Sequence, residues 1–408
     1  MLMSVLRGER ERFASLPEPA RSLLVSFIAF GVAAPLLTLF TNAFLWRQSQ
    51  DLVLVTLFNG AWMAGVALSF ILNGYLLRAM QLSWLYAIGL VIQSVSCLLL
   101  FGLQSVGLVE MLTFGVISGL AAGIYWSNRN LLILQVTEGE GRNYFCGLES
   151  AIGTLLAVLS PFVLGLFLEL GLSGNHTEVF ERYRLLAFVT LAVQLVGAWY
   201  IVRSGFDDYS PRTILMRRAS ALWTRARIFM AVKGIAEGSG MFIPTLIILR
   251  LVGQEAAVGL TQSLSMLFTG VALYVVAARM KVANRGSVLG WGISAMVMGA
   301  LTLSVSYSHV GALVYLILET LGVQLLWIAA NPIIFDVINA DQEDSSGQYP
   351  YIVDRELFLN LGRIVGVGAV VTLSALTGPD VTLRTAPLIL AIGTSTLLFL
   401  VPRLRENG

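Results

Sequence analysis

Apolar runs close to the ~20 residues that cross a bilayer alternate along this chain with short polar gaps, and they predict twelve membrane-spanning helices. The first six runs cover residues 22–45, 52–77, 82–102, 108–135, 144–169 and 184–202. The last six cover 228–251, 256–278, 287–307, 311–338, 356–377 and 385–402. Between the two sets lies the longest polar stretch, residues 203–227, with six arginines against two aspartates. The pattern predicts an all-α integral membrane protein with five parts: an N-terminal segment (1–21), a six-helix bundle (22–202), a basic linker (203–227), a second six-helix bundle (228–402) and a tail (403–408).

Three spacings recur between the halves in the same order. Gly31 and Pro35 form a GxxxP that returns as Gly240 and Pro244, 209 residues later. Gly65-Val66-Ala67-Leu68 returns as Gly270-Val271-Ala272-Leu273, and Trp126 with Asn130 returns as Trp327 with Asn331. Six spans bring the chain back to its starting side, so the halves are parallel pseudo-repeats about an axis along the membrane normal.

Composition agrees with this. The chain is 57% hydrophobic and 12% charged, with a mean hydropathy of +0.80, and cannot cover itself with a water-compatible surface. Charge is sorted by position rather than pooled into a nucleic-acid-binding face. With the N-terminus inside, eighteen of the 26 basic residues fall at the termini, in the linker and in the loops on that side. The positive-inside rule then places both termini and residues 203–227 in the cytoplasm, and the expected setting is a bacterial cytoplasmic (inner) membrane. The N-terminal residues alternate charges where a signal peptide needs an apolar run, and read as a retained, solvated segment. Cys97 and Cys146 lie inside apolar runs and read as small buried hydrophobes. Asn175-His176-Thr177 has the form of a glycosylation acceptor, and His176 and His309 fall in outer loops.

With twelve spans, a 6+6 repeat and a long basic central connection, the chain resembles the major facilitator superfamily of secondary transporters over nearly its whole length. Gly65 and Gly74 match the spaced glycines of that family's second helix, but Arg78 stands where its loop signature has an aspartate. Ser160-Pro161 with Gly165 partly matches the fifth-helix signature of the family's antiporters. The resemblance implies a rocker-switch protein whose cavity is lined mainly by helices 1, 4, 7 and 10.

Charges inside the spans mark candidate chemistry, because a charged side chain at mid-bilayer costs about 2.5–3.5 kcal/mol unless it faces a cavity or a partner. Helix 4 carries Arg129, helix 5 Glu149, helix 7 Lys233 and Glu237, helix 10 Glu319 and Asp336, and helix 11 Arg363. Arg129 and Glu149 sit at similar depth, about 10 Å in, so Arg129 serves either a cavity anion or a structural pair with Glu149. Lys233 and Glu237 are spaced i,i+4 and can pair on one helix face. The glycines and Pro244 around them weaken that helix, as at the broken helices of transporter sites. Glu237, near the midplane, is the expected carrier of a coupled proton, with Glu319 at a similar level on helix 10 as the alternative. Tyr125, Trp126, Arg129, Asn130, Lys233, Trp327 and Asn331 are the candidate cavity residues, and Glu149, Asp336 and Arg363 the candidate ion-pair or gate residues. Gly115, Gly119 and Gly123 form a GxxxGxxxG ridge for close helix packing.

No nucleotide-binding loop, metal-ligand cluster or catalytic-triad spacing is visible, so the chain reads as a non-enzyme with no cofactor or metal. The sequence predicts a monomeric secondary transporter, surrounded by membrane lipids, that moves a small solute by alternating access and is coupled to protons. Arg129 and Lys233 favour an anionic or zwitterionic solute. The competing readings are an uncoupled facilitator and a transporter-like scaffold or sensor.

Overall fold

The computed structural model describes residues 13, 16–136, 139–170, 176–277, 279–341 and 348–405. Within them the chain forms helices and no strands, and twelve helices are long and apolar enough to cross a membrane. We number them α1 (Glu18–Ser49), α2 (Leu52–Leu76), α3 (Leu82–Gly102), α4 (Leu108–Val136), α5 (Gly139–Glu169) and α6 (His176–Arg203) in the first half. The second half holds α7 (Ala221–Leu251), α8 (Glu255–Ala277), α9 (Arg285–Val305), α10 (His309–Asp341), α11 (Tyr349–Thr377) and α12 (Pro379–Thr394 and Leu397–Arg405). Three of the N-terminal arginines counted on the inner side, Arg7, Arg10 and Arg12, lie outside the described residues, as does Asn175.

The helices outrun the apolar spans that announce them, because helix geometry continues past the bilayer while polar side chains take the ends. The linker shows this best. Ser220 accepts a hydrogen bond from the Trp223 amide (2.9 Å) and caps α7 there, so the connection is residues 204–220 rather than 203–227. Arg227 therefore belongs to α7, where it forms a bidentate pair with Asp354 at 2.6 and 2.7 Å. On the opposite side of the bundle, Asp51 caps α2 through the Val53 and Leu54 amides. Gly253, at φ 78°, makes the left-handed turn from α7 into α8 that a side chain would strain.

The repeat is visible in which helices touch. In the first half the most extensively packed pairs are α1–α5, α1–α6, α2–α4, α3–α4 and α3–α6. Adding six to each number gives α7–α11, α7–α12, α8–α10, α9–α10 and α9–α12, all packed in the second half. The halves meet most extensively through α5–α8 and α2–α11, a set that the same operation exchanges with itself. The fold is therefore two parallel six-helix bundles related by a pseudo-two-fold axis. Glycines set the closest crossings: a β-carbon at Gly119 would overlap the Trp62 carbonyl of α2, and Gly115 and Gly123 pack on the same helix. Leucine, valine and phenylalanine side chains such as Leu155, Phe188, Val271 and Leu376 remain exposed around the perimeter, as a lipid-facing surface requires.

The start of α1 and the end of α12 lie at one end of the bundle, since an even number of spans separates them. A cysteine at the exposed Ser210, in the linker, is expected to react with an impermeant thiol reagent from the inner face alone. Labelling of intact cells at that position would reverse the topology.

Candidate functional site

The two GxxxP motifs end up on one cavity. It occupies about 570 Å³ between the halves, a size suited to a small organic solute, and Gly31, Pro35, Gly240 and Pro244 all line it. Both helices are irregular at this level. In α1, Pro35 is followed by a π-helical turn over Leu36–Phe40. In α7, the helix breaks at Met241–Phe242, between Gly240 and Pro244. Trp126 of α4 and Trp327 of α10, the second recurring pair, also face the cavity, together with Phe27 and Phe30. Gln262, Gln324, Thr38 and Thr320 supply neutral polar groups.

Three ionisable side chains among the described residues line the cavity: Glu237, Glu319 and Arg363. Glu237 is held twice, by Lys233 one turn earlier on α7 and by the Arg363 guanidinium of α11 at 2.8 Å. Lys233 is fully buried behind Glu237, with its ammonium 3.7 Å from the centre of the Trp327 ring. The α7–α11 crossing makes this triad possible. A β-carbon at Gly234 or Gly362 would strike the facing backbone of the other helix, so the absence of side chains there brings Arg363 against Glu237. This corrects the reading of the α7 glycines as helix weakeners: Gly234 and Gly238 lie inside a continuous helix and serve packing, and the break comes after Gly240. Glu319 differs from Glu237. It is 8% exposed, it faces the cavity, and it has no hydrogen-bond or ionic partner among the described residues.

Arg129 does not line the cavity. Its guanidinium binds Glu149 of α5 at 2.5 Å and lies over the Phe27 and Trp126 rings, so it supports the aromatic wall from behind. Exchanging either partner for glutamine is expected to destabilise the protein by about 1–3 kcal/mol. The double exchange should cost less than the sum in a double-mutant cycle of melting temperatures. Strict additivity would show that the pair is not energetically coupled.

Several candidates lie elsewhere. Tyr125 is 0% exposed, stacked on Phe30 at 4.1 Å and tilted against Tyr86, so it is core rather than cavity lining. One residue along a helix turns the side chain by about 100°, which is why Trp126 reaches the cavity and Tyr125 does not. Asn130 accepts from Arg129 at 3.4 Å, and neither it nor Asn331 lines the cavity. Lys233 touches the cavity wall only through Trp327 and Glu237. Asp336, 63% exposed, pairs with Arg285 at the start of α9 and belongs to the bundle end, not to the membrane interior.

The structure also shows contacts that sequence reasoning passed over. At the end opposite the termini, Glu255, at the start of α8, is fully buried under Arg47 of α1, which also donates to the Gly253 carbonyl at 2.9 Å. Tyr183 donates to the same carboxylate, and Glu169 of α5 accepts from the Ala256 amide. The partial antiporter motif lies here too: a β-carbon at Gly259 would overlap the Pro161 carbonyl, and Gly165 packs on Gly259, so the motif forms the α5–α8 contact. At the end bearing the termini, Tyr349 of α11 donates to the Phe70 carbonyl of α2, and Asn73 and Asn128 exchange reciprocal hydrogen bonds beside it. Arg78, in the loop that departs from the family signature, donates to the Pro211 and Arg212 carbonyls and ties α2 to the linker.

No protein-family model matches the chain. A Bacillus subtilis protein described as uncharacterized protein YqgE is 24% identical over 375 residues, covering 90% of this chain and 85% of that protein. A Geobacillus stearothermophilus protein described as an uncharacterized protein in the sodM 3'region is 30% identical over 177 residues, covering 41% of this chain and 78% of that one. Among solved structures, a peptide transporter POT in complex with sulfate superposes with a TM-score of 0.69 at 14% identity, over 98% of this chain and 99% of that one. A POT family transporter in complex with a thioalcohol conjugated peptide gives 0.71 at 12%, over 97% and 100%. The nucleoside transporter NupG gives 0.66 at 14%, over 96% and 99%.

The chain belongs to one family with the Geobacillus protein, and its fold is that of the major facilitator superfamily. In this major facilitator fold the cavity wall comes from α1, α5, α7, α8, α10 and α11, with α4 contributing Trp126 alone. That distribution differs from the expectation of lining mainly by helices 1, 4, 7 and 10: Arg129 of α4 is directed to Glu149 of α5 instead of the cavity.

Proposed function

We propose that this protein is a secondary transporter of the bacterial cytoplasmic membrane, moving a small solute by alternating access and coupled to protons through Glu319. The observation that carries the reading is a cavity built by two pseudo-symmetric halves, with a carboxylate on its wall that has no partner among the described residues. A site between two repeats can be exposed alternately by rocking one repeat against the other. The two sets of inter-half contacts, Arg47–Glu255 at one end and Tyr349–Phe70 at the other, are the ones such a motion would break and remake.

The cavity chemistry narrows the solute. Arg129 and Lys233 are both committed to carboxylates, so they no longer argue for an anion. What faces the cavity is the free carboxylate of Glu319, the guanidinium of Arg363 and an aromatic wall from both halves. This suits a zwitterionic or cationic solute with an apolar or aromatic body, its positive group toward Glu319 and any carboxylate toward Arg363. The structural neighbours include transporters of peptides, which are zwitterions, and of nucleosides, whose bases are flat and aromatic.

Counterflow in proteoliposomes tests this. Labelled dipeptides, nucleosides and aromatic amines are each offered with and without an inward proton gradient. Saturable exchange of at least one class, accelerated by the gradient, is the expected result. No exchange of any class with protein that is folded and correctly inserted would favour the scaffold or sensor reading.

A further inference from the structure

Away from the central cavity, and sharing no residue with it, a second crevice of about 370 Å³ opens between α1 and α6 at the end bearing the termini. Arg21, in the first turn of α1, and Arg203, in the last turn of α6, both line it, as do Ser22 and Ser204. The Arg21 side chain makes no hydrogen bond or ion pair among the described residues, and its Nε is buried without any partner. A buried guanidinium N–H left unsatisfied is costly, so it marks a place where an acceptor from outside the protein fits. Arg203 lies over the Trp199 ring at 4.6 Å. Glu18 on the rim leaves two guanidiniums against one carboxylate, a net charge of +1.

The surface leading away from the arginines is apolar. On α6, Trp199, Val196 and Leu195 are 48–53% exposed, and on α1, Ile28 and Val32 are exposed as well. The two helices approach closely there, with Gly197 against Ala29 and Ser26, which makes the floor of a groove. One end of the groove is cationic and rich in hydrogen-bond donors. The rest is greasy and runs toward the membrane middle. A tryptophan at the boundary is the side chain expected at headgroup depth. We infer that this groove binds one monoanionic glycerophospholipid of the inner leaflet, its phosphodiester between Arg21 and Arg203 and an acyl chain along α1 and α6. A free phosphate would use the arginines but not the apolar strip.

Titration of the purified full chain in detergent, read by native mass spectrometry, tests the site with dioleoyl-phosphatidylglycerol as the probe. The first bound lipid is expected to weaken about fivefold for Arg21→Gln or Arg203→Gln and about twenty-five-fold for both, the loss expected when each guanidinium near a membrane surface contributes as is usual. The variant with both arginines changed to lysine should recover most of the affinity, which separates charge from misfolding. Arg218→Gln, a linker arginine outside the crevice, should bind as the wild type does. Three results would overturn the inference: undiminished binding by the double glutamine variant, an equal loss with Arg218→Gln, or equal affinity for phosphatidylcholine. Displacement of the lipid by millimolar glycerol 3-phosphate would assign the crevice to a free phosphate and overturn it too.

Discussion

Glu319→Gln is expected to abolish solute accumulation driven by a proton gradient while leaving counterflow at equal pH in place. The two carboxylates on the cavity wall differ in their surroundings, not in their chemistry. Glu237 is bonded to two cations, so its charge is already accounted for by the protein. Glu319 has no ionic partner among the described residues, so under the proposed mechanism its protonation answers to what enters the cavity: water, a proton or the positive group of a solute. That competition is the requirement for coupling. A neutral glutamine keeps the volume and hydrogen bonding of the protonated acid but cannot release a proton. Uptake by Glu319→Gln vesicles should then equilibrate at the external concentration and show no response to pH, whereas the wild type concentrates the solute. Persistent gradient-driven accumulation in this variant would remove Glu319 from the mechanism. A pH response kept by both Glu319→Gln and Glu237→Gln would mean that coupling runs through neither carboxylate, whereas a wild type with no pH response at all would be the uncoupled facilitator.

Much of the fold was legible because its signals are local. An apolar run of bilayer length announces a helix wherever its neighbours lie, and the recurring GxxxP and Trp-Asn spacings carry the repeat without any knowledge of packing. The ends were less legible, since the Ser220 cap and the Arg227–Asp354 pair extend α7 through residues that look like a polar linker. Within the site, Lys233–Glu237 could be anticipated because both lie on one helix, and Arg129–Glu149 because depth can be counted from a shared turn. The third member of the triad could not. Arg363 reaches Glu237 through a backbone-to-backbone crossing at Gly234 and Gly362, two glycines 128 positions apart with nothing in their spacing to link them. The rotation of α4 was hidden as well. A helix that is apolar on nearly all sides has no amphipathic stripe to orient it, so Tyr125 and Trp126 were equivalent until their neighbours were known.

The second large effect is expected in stability rather than transport. Glu237→Gln leaves Lys233 and Arg363 side by side with no carboxylate between them, and Lys233 is completely buried. Removing one member of a buried charge pair so that the other is uncompensated costs about 3–5 kcal/mol, and here two cations are uncompensated at once. Replacing either cation has a milder consequence, because Lys233→Met leaves the Glu237–Arg363 pair intact and Arg363→Gln leaves Lys233–Glu237. Thermal melting of the three purified variants in one detergent should therefore rank Glu237→Gln as the least stable, with the other two between it and the wild type. The opposite ranking, with a stable Glu237→Gln protein and unstable Lys233→Met and Arg363→Gln proteins, would mean that Glu237 carries no charge in the folded protein. The triad would then be a hydrogen-bonded cluster around a neutral acid, and Glu237 would rejoin Glu319 as a site where a transported proton can reside.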